Sequence, residues 1–338
     1  MTGPAYDSVL LVSFGGAEDP GDVEPFLANV TAGRQIPAER LEAVARQYHH
    51  FGGVSPLNEQ CRRLRDALAA RLKALGRDLP VYWGNRNWTP YLAETVAEMA
   101  AAGHRRALAL VTSAYSSYSG CRQYLDDIAA ARASVGVTAP AIDKVRAYYD
   151  HPGFIAPFVD EVAGARMSLP AELRSQARLV FTAHSIPESM AAGCDYERQL
   201  GETARLVAAG AGFNGWTMAW QSRSGPPSMP WLEPDVNDCL RELSSRGAAA
   251  AVLAPIGFVT DHMEVMWDLD VVAAGTAADL GLRLVRASTP GTGPDDRFVA
   301  MWLELVEERL DATTARRSLG RLGTGPDSCP DTCCPLRT

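Results

Sequence analysis

The chain has 338 residues, a length that favours two domains over one core. Its composition, 47% hydrophobic and 21% charged, is that of an ordinary globular protein. A formal net charge of -8 argues against nucleic acid as a partner, because phosphate backbones attract basic surfaces. The sequence shows no apolar run near the ~20 residues of a membrane span and no signal peptide. We expect a cytoplasmic protein without stable membrane insertion, whose cysteines are thiols or metal ligands.

Short apolar runs alternate with amphipathic segments such as 62–75 and 202–211 along the chain. The apolar runs predict strands and the amphipathic segments predict helices, which is the rhythm of a parallel sheet. This rhythm occurs twice, so the sequence predicts an α/β protein of two similar Rossmann-like domains, each a doubly wound parallel sheet. The predicted strands cover residues 8–13, 80–84, 106–112 and 144–149 in the first half, and 178–183, 216–221, 249–254 and 283–287 in the second.

The predicted domains are residues 1–150 and 151–317, with a cleft between them. Residues 318–338 are rich in Gly, Pro and Cys and lack periodicity, which indicates a tail that is ordered only if something holds it.

Ligands of open parallel sheets bind beyond the carboxyl ends of the strands, where the winding direction reverses. In the second half His184 follows the first strand and Glu264 follows the third. Phe14 and Tyr115 hold the equivalent places in the first half. If the two halves face each other, these four residues should share one crevice.

His184 can bind a divalent metal or move protons near neutral pH, although it could also do no more than cap a turn. Glu264 and Asp268 lie one helical turn apart, so both carboxylates share one face and suit a hydrated cation. The alternative is a capping box, with Asp261 at the helix start and Glu264 three residues later. Motifs of nucleotide-binding loops, zinc proteases and serine hydrolases are absent from the sequence.

Several longer segments resemble the ferrochelatases, most closely the bacterial coproporphyrin ferrochelatases. These segments are LLVSFGG (10–16), FGGVSPLNEQ (51–60), GNRNW (84–88), FTAHSIP (181–187), AWQSRSGPPSMPWLEPD (219–235) and PIGFVTDHMEVMWDLD (255–270). The resemblance covers nearly the whole chain. It implies a chelatase-like pair of Rossmann-like domains with a porphyrin cleft between them, and insertion of Fe2+ into a porphyrin.

The resemblance also implies roles for individual residues. His184 and Glu264 match the paired metal-binding and proton-accepting residues, with Asp268 accessory to them. Phe14 matches the position of an axial contact to iron that is often Tyr in relatives. The other matched porphyrin-binding positions are Ser55, Tyr124 and Arg86, with Arg34 as a further basic candidate.

The tail carries Cys329, Cys333 and Cys334 within six residues. Iron–sulfur clusters are usually held by four thiolates. Cys121 matches the body ligand of those ferrochelatases that carry a [2Fe–2S] cluster, so the resemblance implies a cluster on these four cysteines. A zinc site, a tail disulfide or disorder are the alternatives.

The leading hypothesis is a monomeric coproporphyrin III ferrochelatase whose partners are the porphyrin and ferrous iron. A protoporphyrin IX ferrochelatase or a cobalt chelatase of similar fold is the second hypothesis, although cobalt chelatases of this architecture usually present paired histidines. A non-catalytic haem or metal carrier is the third hypothesis.

Overall fold

The computed structural model of the chain describes residues 6–33, 36–226, 228–293 and 295–336. Arg34, a candidate from the sequence, lies outside the described residues.

Two parallel sheets of four strands form the frame of the described chain. The first contains β1 (Ser8–Ser13), β2 (Val81–Asn85), β3 (Arg106–Val111) and β4 (Ala141–Lys144) in the order β2-β1-β3-β4. The second contains β5 (Arg178–His184), β6 (Thr217–Gln221), β7 (Ala250–Ala254) and β8 (Arg283–Arg286) in the order β6-β5-β7-β8. The predicted pair of similar doubly wound sheets is confirmed.

Helices connect the strands and cover both faces of each sheet. They are α1 (Val23–Val30), α2 (Ala38–His50), α3 (Leu57–Ala74), α4 (Leu92–Ala101), α5 (Gln123–Val135), α6 (Pro152–Ser168), α7 (Ala171–Arg174), α8 (Glu188–Ala191), α9 (Tyr196–Gly210), α10 (Val236–Ser245), α11 (Met263–Val265), α12 (Ala274–Asp279) and α13 (Asp296–Leu310). A 3-10 turn precedes α1 at Pro20–Asp22, and π-helical turns precede α5 at Tyr118–Arg122 and α12 at Met266–Ala273.

One strand prediction is wrong in its position. The apolar run at 144–149 predicts a strand, but β4 is Ala141–Lys144 and ends where that run starts. Val145 and Tyr148 are fully buried, and the Tyr148 hydroxyl donates to the carbonyl of Val111 at 2.6 Å. The residues of this run are therefore apolar because they are buried in the core between the two halves, and not because they pair in the sheet.

A continuous core fills the space between the two sheets. Each sheet turns one face towards it, and helices of both halves complete it, including α3, α6, α9 and α13. Its largest fully buried side chains include Trp302, Tyr148, Phe154, Phe158 and Phe181. The outer face of the first sheet packs separately on α4 and α5, and that of the second on α10 and the π-helical turn Met266–Ala273. Burial of this extent favours a fixed relation between the halves.

The loop after β3 joins the first half to the second. The Tyr115 hydroxyl donates to the carbonyl of Ile256 at 2.7 Å, and the side chain of Gln199 accepts from the backbone of Ser116 at 2.7 Å. Tyr115 is 3% exposed. The expectation that Tyr115 lines an open crevice is therefore wrong, because its ring belongs to the core and its hydroxyl is used between the halves.

The start of the tail is tied to both halves. The Ser318 hydroxyl donates to the Asp150 carboxylate at 2.5 Å, and the backbone of Leu319 donates to the Asp150 carbonyl at 2.9 Å. The backbone of Arg321 donates to Glu202 of α9 at 2.7 Å. We retain residues 1–150, 151–317 and 318–338 as a proposed division of the chain.

The length and polarity of a helix determine whether it can cross a membrane. Across the described ranges, every helix is too short or too polar to span a bilayer.

His151 starts α6 at the junction of the two halves and is fully buried. Its Nδ1 accepts a hydrogen bond from the backbone of Gly153 at 3.1 Å. The Glu304 carboxylate lies 3.2 Å from Nε2, but without hydrogen-bond geometry. Burial, together with the charges of Arg146 and Arg317, lowers the pKa of His151 to about 3. The buried imidazole is therefore neutral.

This neutral histidine predicts a loss of stability in acid. Below a pH of about 6.5 the unfolded chain gains a proton at His151 that the folded chain does not, so the free energy of unfolding falls. His151→Asn keeps an acceptor for the helix start but cannot titrate. Relative to this variant, the wild type should lose about 1 kcal/mol between about pH 6 and pH 5 in urea unfolding. Parallel pH curves for the two proteins would contradict this.

Candidate active site

The two predicted site residues of the second half meet. His184 ends β5, and Glu264 lies in α11, which follows β7. The strands β5 and β7 are paired in parallel, so their carboxyl ends open on the same edge of the sheet. His184 Nε2 lies 3.7 Å from Glu264 Oε2. Two ligands of one metal ion with bonds of about 2.1 Å lie a similar distance apart.

The hydrogen bonds of His184 define its tautomer. Its Nδ1 lies 2.5 Å from the carbonyl oxygen of Ser185, which can only accept, so Nδ1 carries the hydrogen. In the neutral ring the lone pair is then on Nε2, the atom beside Glu264. The Tyr196 hydroxyl donates to the His184 carbonyl at 3.1 Å and holds the strand end. In this tautomer His184 directs the Nε2 lone pair towards Glu264.

Glu264 does not form the capping box that was the alternative. His262, and not Asp261, occupies the position before α11, and no side chain caps this helix start by a hydrogen bond. Asp261 pairs instead with Arg286, at 3.0 Å. The Glu264 side chain is 52% exposed and faces His184. Its carboxylate is therefore available to a ligand.

Asp268 lies in the π-helical turn Met266–Ala273, behind this pair. The Ser222 hydroxyl donates to its carboxylate at 2.5 Å, and the Gln221 amide approaches at 3.4 Å. Burial raises the pKa of Asp268 to about 6, the Ser222 hydrogen bond opposes the rise, and the charge of Glu264 adds to it. Asp268 therefore lies close enough to His184 and Glu264 for their charges to affect its pKa. Its part in the site stays a prediction.

The first half contributes Phe14, which follows β1 as His184 follows β5. Its ring is 38% exposed and meets the edge of Phe26, with ring centres 6.3 Å apart. The Arg86 guanidinium lies 5.7 Å from the centre of the Phe14 ring and 4.7 Å from that of Tyr124. Phe14 therefore offers an exposed aromatic ring.

Arg86 and Tyr124 are less accessible than expected of residues that contact a ligand. The Arg86 side chain is 7% exposed and pairs with Asp127. Tyr124 is 5% exposed and packs in the core beneath the first sheet. Direct contact of either residue with a carboxylate of a ligand stays a prediction.

Ser55 is also buried, at 4% exposure. Its backbone donates to the carbonyl of Ala17 at 2.8 Å. A Cβ atom on Gly16 would lie 2.7 Å from the Ser55 hydroxyl, so only glycine lets these two loops approach this closely. Ser55 holds the loop after β1 in place, and its contact with a ligand stays a prediction.

A buried polar network behind Phe14 was not predicted from the sequence. The Asn58 amide donates to the Gly16 carbonyl at 3.1 Å, and the Asn85 amide donates to Asn58 at 3.3 Å. The Ser13 hydroxyl joins Asn85 and accepts from the indole of Trp83 at 3.0 Å. The signal in the sequence was polar side chains inside apolar segments, since buried polar groups need partners.

The helices α1 and α2 of the first half reach across to the second half. Met263 packs in one buried cluster with Phe26 and Tyr48, and the rings of His50 and Trp267 lie 5.5 Å apart. The charge of Glu264 adds to the rise that burial causes in the pKa of Tyr48. The site is therefore bounded by both halves, as the sequence predicted.

The tail brings cysteines together next to the π-helical turn that contains Cys121. The Arg122 guanidinium donates to the carbonyls of Pro330 at 2.7 Å and Cys333 at 3.3 Å. The sulfur atoms of Cys333 and Cys334 are 3.5 Å apart. Burial, together with the neighbouring Cys333 and Cys121, raises the pKa of the Cys329 thiol to about 11.

These thiols are gathered but do not form a closed set of ligands. Within residues 6–33, 36–226, 228–293 and 295–336, His, Cys, Asp and Glu side chains form no group of three or more arranged to hold a metal ion. The donor type nevertheless fits an iron–sulfur cluster, since such clusters are held by thiolates.

Solved structures define the class of the fold. The structure of SirB from Bacillus subtilis with Fe3+ aligns with a TM-score of 0.54 and 12% identity, over 92% of this chain and 98% of that chain. A sirohydrochlorin chelatase SirB in complex with cobalt, from Bacillus subtilis subspecies spizizenii, aligns with a TM-score of 0.50 and 13% identity over the same shares. The fold is that of the chelatases.

Sequence relatives define the family. The family model described as Ferrochelatase matches residues 6–310. A coproporphyrin III ferrochelatase from Frankia alni is 54% identical over 98% of this chain and 87% of its own length. A ferrochelatase from Rhodopirellula baltica is 52% identical over 98% of this chain and 94% of its own length. The chain belongs to the ferrochelatase family.

The absence of a capping hydrogen bond at Glu264 predicts that its charge adds little to stability. Glu264→Gln keeps the shape of this half-exposed side chain and removes the charge. Surface changes of this kind usually alter the free energy of unfolding by less than about 0.5 kcal/mol. Urea unfolding at neutral pH should therefore be nearly that of the wild type, with iron insertion largely lost. A loss of about 1 kcal/mol or more with activity retained would restore a structural role.

Proposed function

We propose that the protein inserts Fe2+ into coproporphyrin III to give the iron porphyrin of haem biosynthesis. The observation that carries this is the approach of His184 Nε2 to Glu264 Oε2 at 3.7 Å, at the strand ends of a ferrochelatase fold. Support for the substrate comes from several relatives about half identical over nearly the whole chain, which are named coproporphyrin III ferrochelatase. The cytoplasmic setting and the monomeric state stay predictions.

The reaction releases both pyrrole N–H protons as iron enters the ring. A base must therefore lie beside the porphyrin. In our proposal His184 Nε2 accepts a proton, because Nδ1 is already occupied by its bond to Ser185. Glu264 supplies negative charge for the incoming Fe2+, which is a substrate here, and can accept the second proton.

Asp268 is proposed as the accessory group of this pair. Its carboxyl has a pKa of about 6 because it is buried, so it can exchange protons near neutral pH. The Ser222 hydroxyl fixes the carboxylate in place. Asp268 thus offers a neighbouring group to which a proton accepted at His184 or Glu264 can pass.

We propose that the porphyrin lies against the first half at Phe14. The exposed ring offers a stacking or edge contact to a flat aromatic ligand, and it has no atom that could ligate iron. Ser55, Tyr124, Arg86 and Arg34 are proposed for the carboxylate groups of the porphyrin. For Arg86 such a contact requires its ion pair with Asp127 to open or to be shared.

The function is tested by anaerobic insertion of Fe2+ into coproporphyrin III and, side by side, protoporphyrin IX. We expect a higher kcat/KM for coproporphyrin III, which carries more propionates. His184→Ala should bind the porphyrin in a fluorescence titration but lose about 10²–10⁴-fold in rate, the usual cost of a positioned acid–base group. Preference for protoporphyrin IX would assign the other ferrochelatase activity. Tight binding of haem without any turnover would indicate a carrier.

We also propose a [2Fe–2S] cluster on Cys121, Cys329, Cys333 and Cys334. Support comes from the tail, which Arg122 holds beside Cys121, and from the 3.5 Å separation of the Cys333 and Cys334 sulfur atoms. When bound, such a cluster would cross-link the tail to the first half. These residues belong to a different part of the fold from His184 and Glu264, so the proposed role is stability or sensing rather than insertion chemistry.

The cluster proposal predicts reddish protein whose visible absorption is bleached by dithionite. Cys121→Ser should lose this absorption together with iron and sulfide. Cys194→Ser is the matched control, because Cys194 lies close enough to Cys333 for their charges to interact but is outside the proposed set. Colourless wild-type protein from iron-replete anaerobic cells would contradict the cluster, and loss of colour in Cys194→Ser would contradict the ligand assignment.

A further inference from the structure

The segment 261–270 contains both Glu264 and Asp268. The side chain of Arg286, from another element, forms hydrogen bonds with the residues at both of its ends. We propose that Arg286, at the end of β8, is a positioning residue that clamps this segment and thereby sets the geometry of the acidic groups. The inference rests on the proposed function, because it assigns to Arg286 a part in the same reaction.

The first contact holds the start of the segment. Arg286 Nη2 donates to Asp261 Oδ2 at 3.0 Å, and Nη1 donates to Asp261 Oδ1 at 3.3 Å. The Asp261 side chain is 9% exposed and the Arg286 side chain 20%. A two-pronged bond of this kind fixes direction as well as distance, because the guanidinium is planar.

The second contact holds the end of the segment. Arg286 Nε donates to Asp270 Oδ1 at 2.6 Å, and Nη2 donates to Asp270 Oδ2 at 3.0 Å. One guanidinium therefore bridges two carboxylates nine positions apart in the chain. Glu264 and Asp268 lie between these two fixed points.

The loop after β8 supports the same anchor. The buried Thr289 hydroxyl donates to Asp261 Oδ1 at 3.0 Å, and the backbone of Gly291 donates to the Val259 carbonyl at 2.8 Å. A Cβ atom on Gly291 would lie 2.6 Å from that carbonyl oxygen, so the two backbones are in close contact. Asp261 is thus held from two sides, by Arg286 and by Thr289.

The segment needs such an anchor because its own helical structure is weak. The short helix α11 lacks a side-chain cap, and the π-helical turn that follows it has a wider, less common hydrogen-bond pattern. The segment also concentrates acidic side chains that repel one another. The charge of Arg286 offsets part of this repulsion and lets Glu264 approach His184 while Asp268 stays bonded to Ser222.

The test compares Arg286→Lys and Asp270→Asn with Arg283→Lys, an exposed position on the same strand. Lysine keeps the charge but cannot bridge two carboxylates with a planar fork. Asp270→Asn releases one end and leaves the buried Asp261 paired, so this variant should fold even if Arg286→Lys does not. Hydrogen exchange and anaerobic insertion kinetics are measured on all of them and on the wild type.

We expect the amides of residues 262–273 to exchange faster in Arg286→Lys and Asp270→Asn, while those of β5 and β7 do not change. We also expect kcat to fall about 10–100-fold, as for other groups that orient the residues at a metal, and coproporphyrin binding to persist. Arg283→Lys should match the wild type in both measurements.

An active wild type with unchanged exchange and kinetics in both variants would overturn the clamp. Losses that spread to β5 and β7 would also overturn it, since Arg286 would then be only a structural residue. An inactive wild type would instead refute the proposed function, and the exchange data would still decide whether Arg286 clamps the segment.

Discussion

The parallel pairing of β5 with β7 is the constraint on which the candidate site depends. Strands that run side by side in one direction deliver the residues after them to the same edge of the sheet. His184 and Glu264 are 80 positions apart in the chain. They meet because His184 ends β5 and only a short loop separates Glu264 from the end of β7. The sheets are held in turn by the core that both halves share, so the cleft is a property of the whole molecule rather than of either domain.

Electrostatics then decide how each acidic group behaves. Glu264 is exposed beside a histidine, Asp268 is half-buried with a hydroxyl donor, and Asp261 is buried against a guanidinium. Three carboxylates within eight positions therefore have three environments. Such divergence is what allows one short segment to attract a cation and also to accept and release protons.

Some of these features could be predicted from the sequence and others could not. Alternation of apolar runs and amphipathic segments indicated both sheets and the meeting of His184 with Glu264, because strand order follows from a simple topological rule. The predicted strand at 144–149 and the predicted place of Tyr115 in the crevice were wrong, because apolar composition indicates burial but not which element covers the residue. The pairing of Asp261 with Arg286 depends on contacts between distant elements, which spacing along one helix cannot reveal. The bonds between the tail and Asp150 or Glu202 could not be predicted for the same reason.

The position of α13 in the chain has a consequence for folding during synthesis. Helix α13, although it follows the second sheet, packs against α3 of the first half, where Leu64 and Leu68 are fully buried. A nascent chain that has completed the first sheet must keep this apolar face of α3 uncovered until well over a hundred further residues have left the ribosome. Chains that expose apolar surface during folding are prone to aggregate. The order of elements thus makes the first half dependent on the synthesis of α13, and a chain truncated before α13 would leave both halves incomplete.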